Sequence, residues 1–351
     1  MIPKPAAIRR AIVEPIRDRL VRRGRLLSGR WRARSDRRLL PAVLAAAGAD
    51  VAGGSPVQVI RDMTTHGGLS MTLIRTAAGN EHLVKITGTA DGRRTLRREA
   101  CVLRALRSDP RLGGFTTLVP EPRAGGAIDG RAYAIQTAFD GRPASDLPDS
   151  TRRPLLSALA ATIGDLHLAT ARRVTVDGRL SSRWVGRRIE LVRDLSRSAG
   201  TPTLPEALAE LQRTMTADLI GRTVDTCWIH GDYWTGNILV APTGAVCGIV
   251  DWDSARSREL AVNDLLHLTV SDRRLKRRVS WGVALAEYLT VPNPDVAERS
   301  RDDPASELSL RTSAALYWLL TIDSSHRRHP ATVVSRSWVR ANVLPVVEAL
   351  R

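Results

Sequence analysis

Apolar positions along this chain change their period near residue 150. Before that point they come in short runs: Val57-Gln58-Val59-Ile60, Met71-Thr72-Leu73-Ile74 and His82-Leu83-Val84-Lys85-Ile86, the last two separated by Ala78-Gly79-Asn80. Runs of this length bounded by Gly and Asn read as strands joined by hairpin turns. Between 93 and 107, Leu96, Ala100, Leu103 and Leu106 recur at helical spacing, with Arg and Glu between them. Val119-Pro120-Glu121-Pro122 breaks the chain before another hairpin, whose second strand covers 132–137, and Asp140-Gly141-Arg142-Pro143 reads as a linker. Beyond it the pattern is helical over 151–170, 184–196, 204–220, 259–270, 273–289, 306–322 and 334–350, interrupted by a β patch at 226–253. The expected architecture is α+β: a small β-rich lobe at 42–140 and a larger, mainly helical lobe at 141–351, preceded by an extension at 1–41.

That extension carries most of the charge. The chain has 351 residues and a net charge of +17, and residues 1–40 hold thirteen basic and three acidic residues, so +10 lies there. Within it Ile8, Ile12, Ile16 and Leu20 recur among arginines, a basic amphipathic helix pattern that Pro15 would kink. Such a face suits an anionic membrane surface or an acidic partner, and equally a helix packed on the protein's own body. The remaining body is only mildly basic, so no nucleic-acid partner is expected. No run approaches the roughly 18–20 apolar residues of a membrane span, and no apolar signal region opens the chain, which points to the cytoplasm. Cys101, Cys227 and Cys247 lack Cys-x-x-Cys spacing, so small buried residues are expected rather than a zinc site or a disulfide framework.

The chemistry concentrates in Trp228-Ile229-His230-Gly231-Asp232-Tyr233-Trp234-Thr235-Gly236-Asn237-Ile238-Leu239-Val240. Asp232 and Asn237 stand five apart in a polar loop closed by an apolar strand, and a second strand, Gly248-Ile249-Val250, ends on Asp251. A turn at Pro242-Thr243-Gly244 would bring Asn237 and Asp251 together. An amide oxygen and a carboxylate are hard ligands of the kind Mg²⁺ takes, and Asp232 can accept the proton of an attacking hydroxyl. His-Gly-Asp-x-x-x-x-Asn followed by Asp-Trp-Asp resembles the catalytic loop of protein kinases. Its variant form is similar to that of the aminoglycoside phosphotransferase and choline kinase family, a resemblance extending over about residues 56–350. Leu166-His167 and Asp264 look like further family positions.

Lysine is rare here. Only Lys4, Lys85 and Lys276 occur among 53 basic residues, yet Lys85 sits inside an apolar strand. A compact ammonium is not interchangeable with a guanidinium at a tight phosphate contact. Fourteen residues on, Glu99 is the one acid in the helical stretch 93–107. The resemblance implies that Lys85 holds nucleotide phosphates and Glu99 orients it. It further implies phosphate contacts from the turn containing Gly67, Gly68 and Ser70, and a nucleotide-base edge at Gln136 and Thr137. His230, Trp234 and Asp253 are expected to brace the loop or meet the acceptor. The implied activity is a protein-kinase-like phosphotransfer from ATP, with GTP also open, and with Mg²⁺, to a hydroxyl of a small aminoglycoside-, choline- or sugar-like molecule. The competing reading is a nucleotide-binding pseudokinase or scaffold docked through the basic extension. Residues 251–351 contain thirteen acidic and fifteen basic residues, so no acidic excess marks a polycationic acceptor.

Overall fold

A computed structural model of the chain describes residues 38–48, 51, 57–64, 69–200, 204–290, 308–328 and 330–351. The basic helix expected near the N-terminus and the turn His66-Gly67-Gly68 lie outside the described residues. Internal contacts divide the chain into Met1–Ala105 with Pro120–Phe139, and Leu106–Val119 with Asp140–Arg351.

The first unit is built on an antiparallel sheet. Helix α1 (Leu40–Ala47) precedes strands β1 (Gln58–Thr64), β2 (Leu69–Arg75) and β3 (Glu81–Thr87). Helix α2 (Ala90–Arg107) follows, and β4 (Pro122–Ile128) and β5 (Arg131–Thr137) complete the spatial order β1-β2-β3-β5-β4. Ile74, Val84, Ile86, Tyr133 and Ile135 bury one face against Leu40 and Val43 of α1. Each such aliphatic side chain contributes about 1.5–3 kcal/mol through burial, which outweighs the modest strand propensities. Thr89 caps α2, its Oγ1 accepting from the Gly92 N–H at 3.0 Å. The helix then buries Leu96, Glu99, Val102, Leu103 and Leu106 along one face. Glu99 thus occupies a core position of an otherwise apolar stripe. Cys101 lies on the opposite side and is exposed, and Cys247 is half-buried, so of the three cysteines only Cys227 is a buried small residue.

The second unit is mainly helical. It contains the strand β6 (Arg142–Pro143), α3 (Asp149–Thr170), β7 (Arg172–Thr175), α4 (Arg187–Ser198) and α5 (Pro205–Leu219). These are followed by β8 (Thr223–Ile229), β9 (Ile238–Val240), β10 (Val246–Ile249) and β11 (Arg256–Glu259). Helices α6 (Val262–Arg277), α7 (Trp281–Thr290), α8 (Leu310–Arg328), α9 (Arg336–Asn342) and α10 (Leu344–Ala349) complete it. Trp184, Ile189, Leu208, Leu285, Trp318 and Val346 belong to one continuous apolar core.

Three local readings of the sequence change. The residues taken as a linker form β6, because Arg142 and Pro143 pair with Val240 and Leu239. The β patch at 226–253 is not one sheet: among the described residues β10-β9-β6 and β11-β8-β7 form separate three-stranded sheets. The helix expected at 334–350 breaks before Leu344, where Pro345 opens α10. Proline has no N–H to return to the Ala341 carbonyl, and that carbonyl accepts from Ser280 Oγ at 2.7 Å instead. Among the described residues no helix is long and apolar enough to cross a membrane.

Candidate active site

The loop between β8 and β9 is organised from beneath by one carboxylate. Asp264, in the first turn of α6, is fully buried. It accepts the backbone N–H groups of His230 at 2.7 Å and Gly231 at 2.8 Å. Its Oδ2 also lies 3.1 Å from Nε2 of His167 on α3. Burial pushes the Asp264 pKa up, but the hydrogen bond and charge of His167, with His230, more than offset this and hold it below the usual carboxylate range. A buried anion is tolerable here because each of its oxygens has a donor.

His230 is itself wholly buried and braces the loop. Its Nε2 donates to the Val250 carbonyl at 3.0 Å, while Nδ1 accepts the Asp232 N–H at 3.3 Å. That pattern places its proton on Nε2, and burial lowers its pKa, which keeps the ring neutral. The ring packs against Trp252 with centroids 4.5 Å apart. Gly231 has φ +76°, and a Cβ there would stand 2.5 Å from the Ser254 carbonyl oxygen. Both the backbone angle and the close approach demand glycine.

Asp232 is gripped from two sides. Nε2 of His267, on α6, lies 3.0 Å from Oδ1, and Nη1 of Arg328, the last residue of α8, donates to Oδ2 at 3.0 Å. Behind His267, Nδ1 lies 3.0 Å from the Tyr317 hydroxyl, which accepts from Trp281 Nε1–H at 2.8 Å. Burial acts to raise the Asp232 pKa, yet the His267 hydrogen bond and the Arg328 charge hold it well below the carboxylate range. Asp232 is therefore ionised and oriented at neutral pH. Neither His267 nor Arg328 was singled out from sequence; one is an isolated histidine and the other one arginine among fifty.

Asn237 and Asp251 meet through the β9–β10 ladder. Ile238 pairs with Ile249, and the Val250 N–H donates to the Asn237 carbonyl at 2.9 Å, so Asp251 follows immediately. Asn237 Nδ2 donates to the Asp232 carbonyl at 3.0 Å, so its amide oxygen is the end that could meet a metal ion. Asp251 adopts the left-handed conformation with φ 67° and ψ 55°, just before the turn Trp252–Ser254. For a non-glycine residue this costs about 1 kcal/mol or more, a strain typical of functional positions. Asp253 accepts from Ser254 Oγ at 2.9 Å. Trp234 lays its ring over Gly236, where any side chain would collide with it. Among the described residues no group of three or more His, Cys, Asp or Glu could hold a metal ion. One amide and one carboxylate fit Mg²⁺, which takes few protein ligands and fills its remaining positions with phosphate and water.

Within the first unit, Lys85 and Glu99 form a buried pair, at 3 % and 2 % exposure. Lys85 Nζ lies 2.6 Å from each Glu99 carboxylate oxygen. Ser70 and Gln136 are buried on β2 and β5, opposite Ile86 and Leu83. Thr137 is tied to the start of β4, its Oγ1 accepting the Glu121 N–H at 2.9 Å. Gly67 and Gly68 lie outside the described residues.

Comparison with known proteins bears on the family and the fold. A family model described as the phosphotransferase enzyme family matches residues 66–298. No curated protein matches the chain. A thermostable mutant of aminoglycoside phosphotransferase APH(4)-Ia, solved with ADP and hygromycin B, superposes with a TM-score of 0.57 at 15% identity, covering 84% of this chain and 94% of that one. A protein of Ralstonia eutropha JMP134, named for the aminoglycoside phosphotransferases, gives a TM-score of 0.52 at 17% identity, covering 85% and 92%. At such identities these likenesses establish a shared fold, with its small antiparallel sheet and mainly helical remainder. With the family model matching more than half its length, this chain belongs to the phosphotransferase enzyme family.

Proposed function

We propose that the chain transfers the γ-phosphate of a nucleoside triphosphate, ATP in the first instance, to a hydroxyl of a small molecule. The observation that carries this reading is the Lys85–Glu99 pair. A lysine buried to 3 % and held 2.6 Å from both oxygens of a buried glutamate has little structural justification. Such a pair is costly to desolvate and gives stability no clear advantage over apolar residues. It suits phosphate binding, where Glu99 orients an ammonium that meets the phosphates.

The Mg²⁺ that Asn237 and Asp251 would hold, bound with the nucleotide, supplies charge neutralisation on the phosphates. The chain's own residues do the rest. Asp232, ionised and fixed by His267 and Arg328, hydrogen-bonds the acceptor hydroxyl at Oδ1 or Oδ2 and takes its proton as the new P–O bond forms and the bond from the γ-phosphorus to the β-phosphate oxygen breaks, releasing the nucleoside diphosphate. Asp264 and His230 keep the loop rigid, so the hydroxyl is positioned at little entropic cost. Ser70, Gln136 and Thr137, with Gly67 and Gly68, are assigned to the nucleotide. A thermostable mutant of APH(4)-Ia has been solved in a ternary complex with AMP-PNP and hygromycin B, which supports a nucleotide and a second small molecule bound at once.

The test is calorimetric titration of the full chain with Mg·ATP, followed by phosphate transfer to a panel of hydroxyl compounds. Saturable binding and transfer are expected, with Asp232→Ala lowering turnover by roughly 10²–10⁴ while still binding nucleotide. No nucleotide binding would refute the phosphotransfer reading, and retained turnover in Asp232→Ala would refute the assignment of the base.

A further inference from the structure

The proton acceptor of this site is already occupied by a cation. Arg328 Nη1 sits 3.0 Å from Asp232 Oδ2, and the charges of Asp253 and Asp251 add to the attraction on its guanidinium. Among the described residues the side chain of Arg328 hydrogen-bonds only Asp232. Its side chain is 31% exposed, so the remaining N–H donors of the fork can reach a ligand.

We propose that Arg328 sets the charge of the acceptor: it rejects hydroxyl compounds carrying a cationic group near the reacting oxygen and favours those carrying a carboxylate or phosphate there. This rests on the phosphotransfer reading above and narrows it. A hydroxyl that donates to either Asp232 oxygen lies beside a guanidinium or an imidazole, because His267 flanks Oδ1 as Arg328 flanks Oδ2. A charged substituent close to a hydroxyl bound at Oδ2 lies near the Arg328 charge, where partial burial leaves like charges in repulsion. An oxyanion placed there meets a planar fork of donors suited to bidentate binding. The grip is not a loose surface contact, since His267 is itself anchored through Tyr317 to Trp281. Asp253 moderates the effect, and so the discrimination is relative.

The experiment compares glycerol, D-glycerate and ethanolamine, each at tens of millimolar, as acceptors for the full chain with Mg·ATP. Wild-type protein should follow the order D-glycerate, glycerol, ethanolamine in kcat/KM. Arg328→Gln should raise the ratio of ethanolamine to D-glycerate at least about tenfold, and Arg328→Lys should keep the wild-type order. A structural role for Arg328 would instead lower all three together, and thermal melts of each variant report whether the fold persists. The proposal is overturned if wild-type protein prefers ethanolamine. It is overturned equally if Arg328→Gln leaves the ratio unchanged, or if none of the three acceptors raises ATP consumption above the rate in buffer for either protein. Absence of Mg·ATP binding by wild-type protein would defeat the phosphotransfer reading instead.

Discussion

Replacing Asp264 by asparagine tests whether one buried charge holds the β8–β9 loop. The substitution preserves shape and removes a formal charge. Asp264 receives three donors: the N–H groups of His230 and Gly231 and the His167 ring. An asparagine offers one oxygen and one NH₂ group, so at least one backbone N–H faces a donor and is orphaned, at about 1–3 kcal/mol. The surviving bonds lose their charge assistance, roughly half their strength. Together the loss is about 3–5 kcal/mol, a large share of the 5–15 kcal/mol that typically stabilises a domain. For a unit of this size each kcal/mol moves Tm by about 2–4 °C, so a fall of about 10 °C is expected. Tryptophan fluorescence is the assay of choice, because Trp184, Trp228, Trp234, Trp252, Trp281, Trp318 and Trp338 all belong to the second unit. The pH dependence adds a second check. The folded pKa of Asp264 is depressed, so its stabilisation is complete above the unfolded carboxylate value of about 3.9 and is lost as pH falls through the folded pKa. The gap in Tm between wild type and Asp264→Asn should therefore be widest at neutral pH and narrow progressively in acid below about pH 4. A Tm within 2 °C of wild type at pH 7, or a gap that widens in acid, would refute the reasoning.

Lys85→Met should abolish measurable Mg·ATP binding by calorimetry and destabilise the first unit by about 3–5 kcal/mol, since Glu99 would remain buried without its partner. Adding Glu99→Gln to that variant should recover part of the stability in urea melts and none of the binding. Gly231→Ala should cost more than the roughly 1 kcal/mol of a left-handed alanine, because its Cβ would also strike the Ser254 carbonyl. Expected readouts are a lowered Tm and turnover reduced with nucleotide binding intact; a wild-type Tm would count against the close packing.

Residues that announce themselves locally were legible before any coordinates. Lys85 stood out because the chain otherwise uses arginine, and Asp232, Asn237 and Asp251 because their spacing implied a loop and two short strands. Glu99 could be reached from helical period alone, since Leu96, Leu103 and Leu106 mark the face on which it is buried. What stayed hidden depends on contacts between distant segments. His267 and Arg328 meet Asp232 from α6 and α8, at separations for which no periodicity or motif gives a signal. The break before Leu344 was legible in principle, from Pro345. The pairing of Arg142 and Pro143 with β9 was not, since a proline two residues after a glycine looks like a linker unless its partner strand is known.

The contact between Gly231 and Ser254 bears on how this site can vary among related chains. It joins the segment holding Asp232 to the turn holding Asp253, and the Val250 N–H to Asn237 bond fixes Asp251 beside it. The distance along the sequence between the two acids is set separately, by the β9–β10 connection, whose tip residues Pro242 and Thr243 are exposed. Lengthening that tip would change the motif's spacing without moving either acid, because loop closure grows costlier only slowly with length. A glycine immediately before the loop's aspartate, packed on a carbonyl, is thus a better signature of this architecture than any fixed interval between its carboxylates.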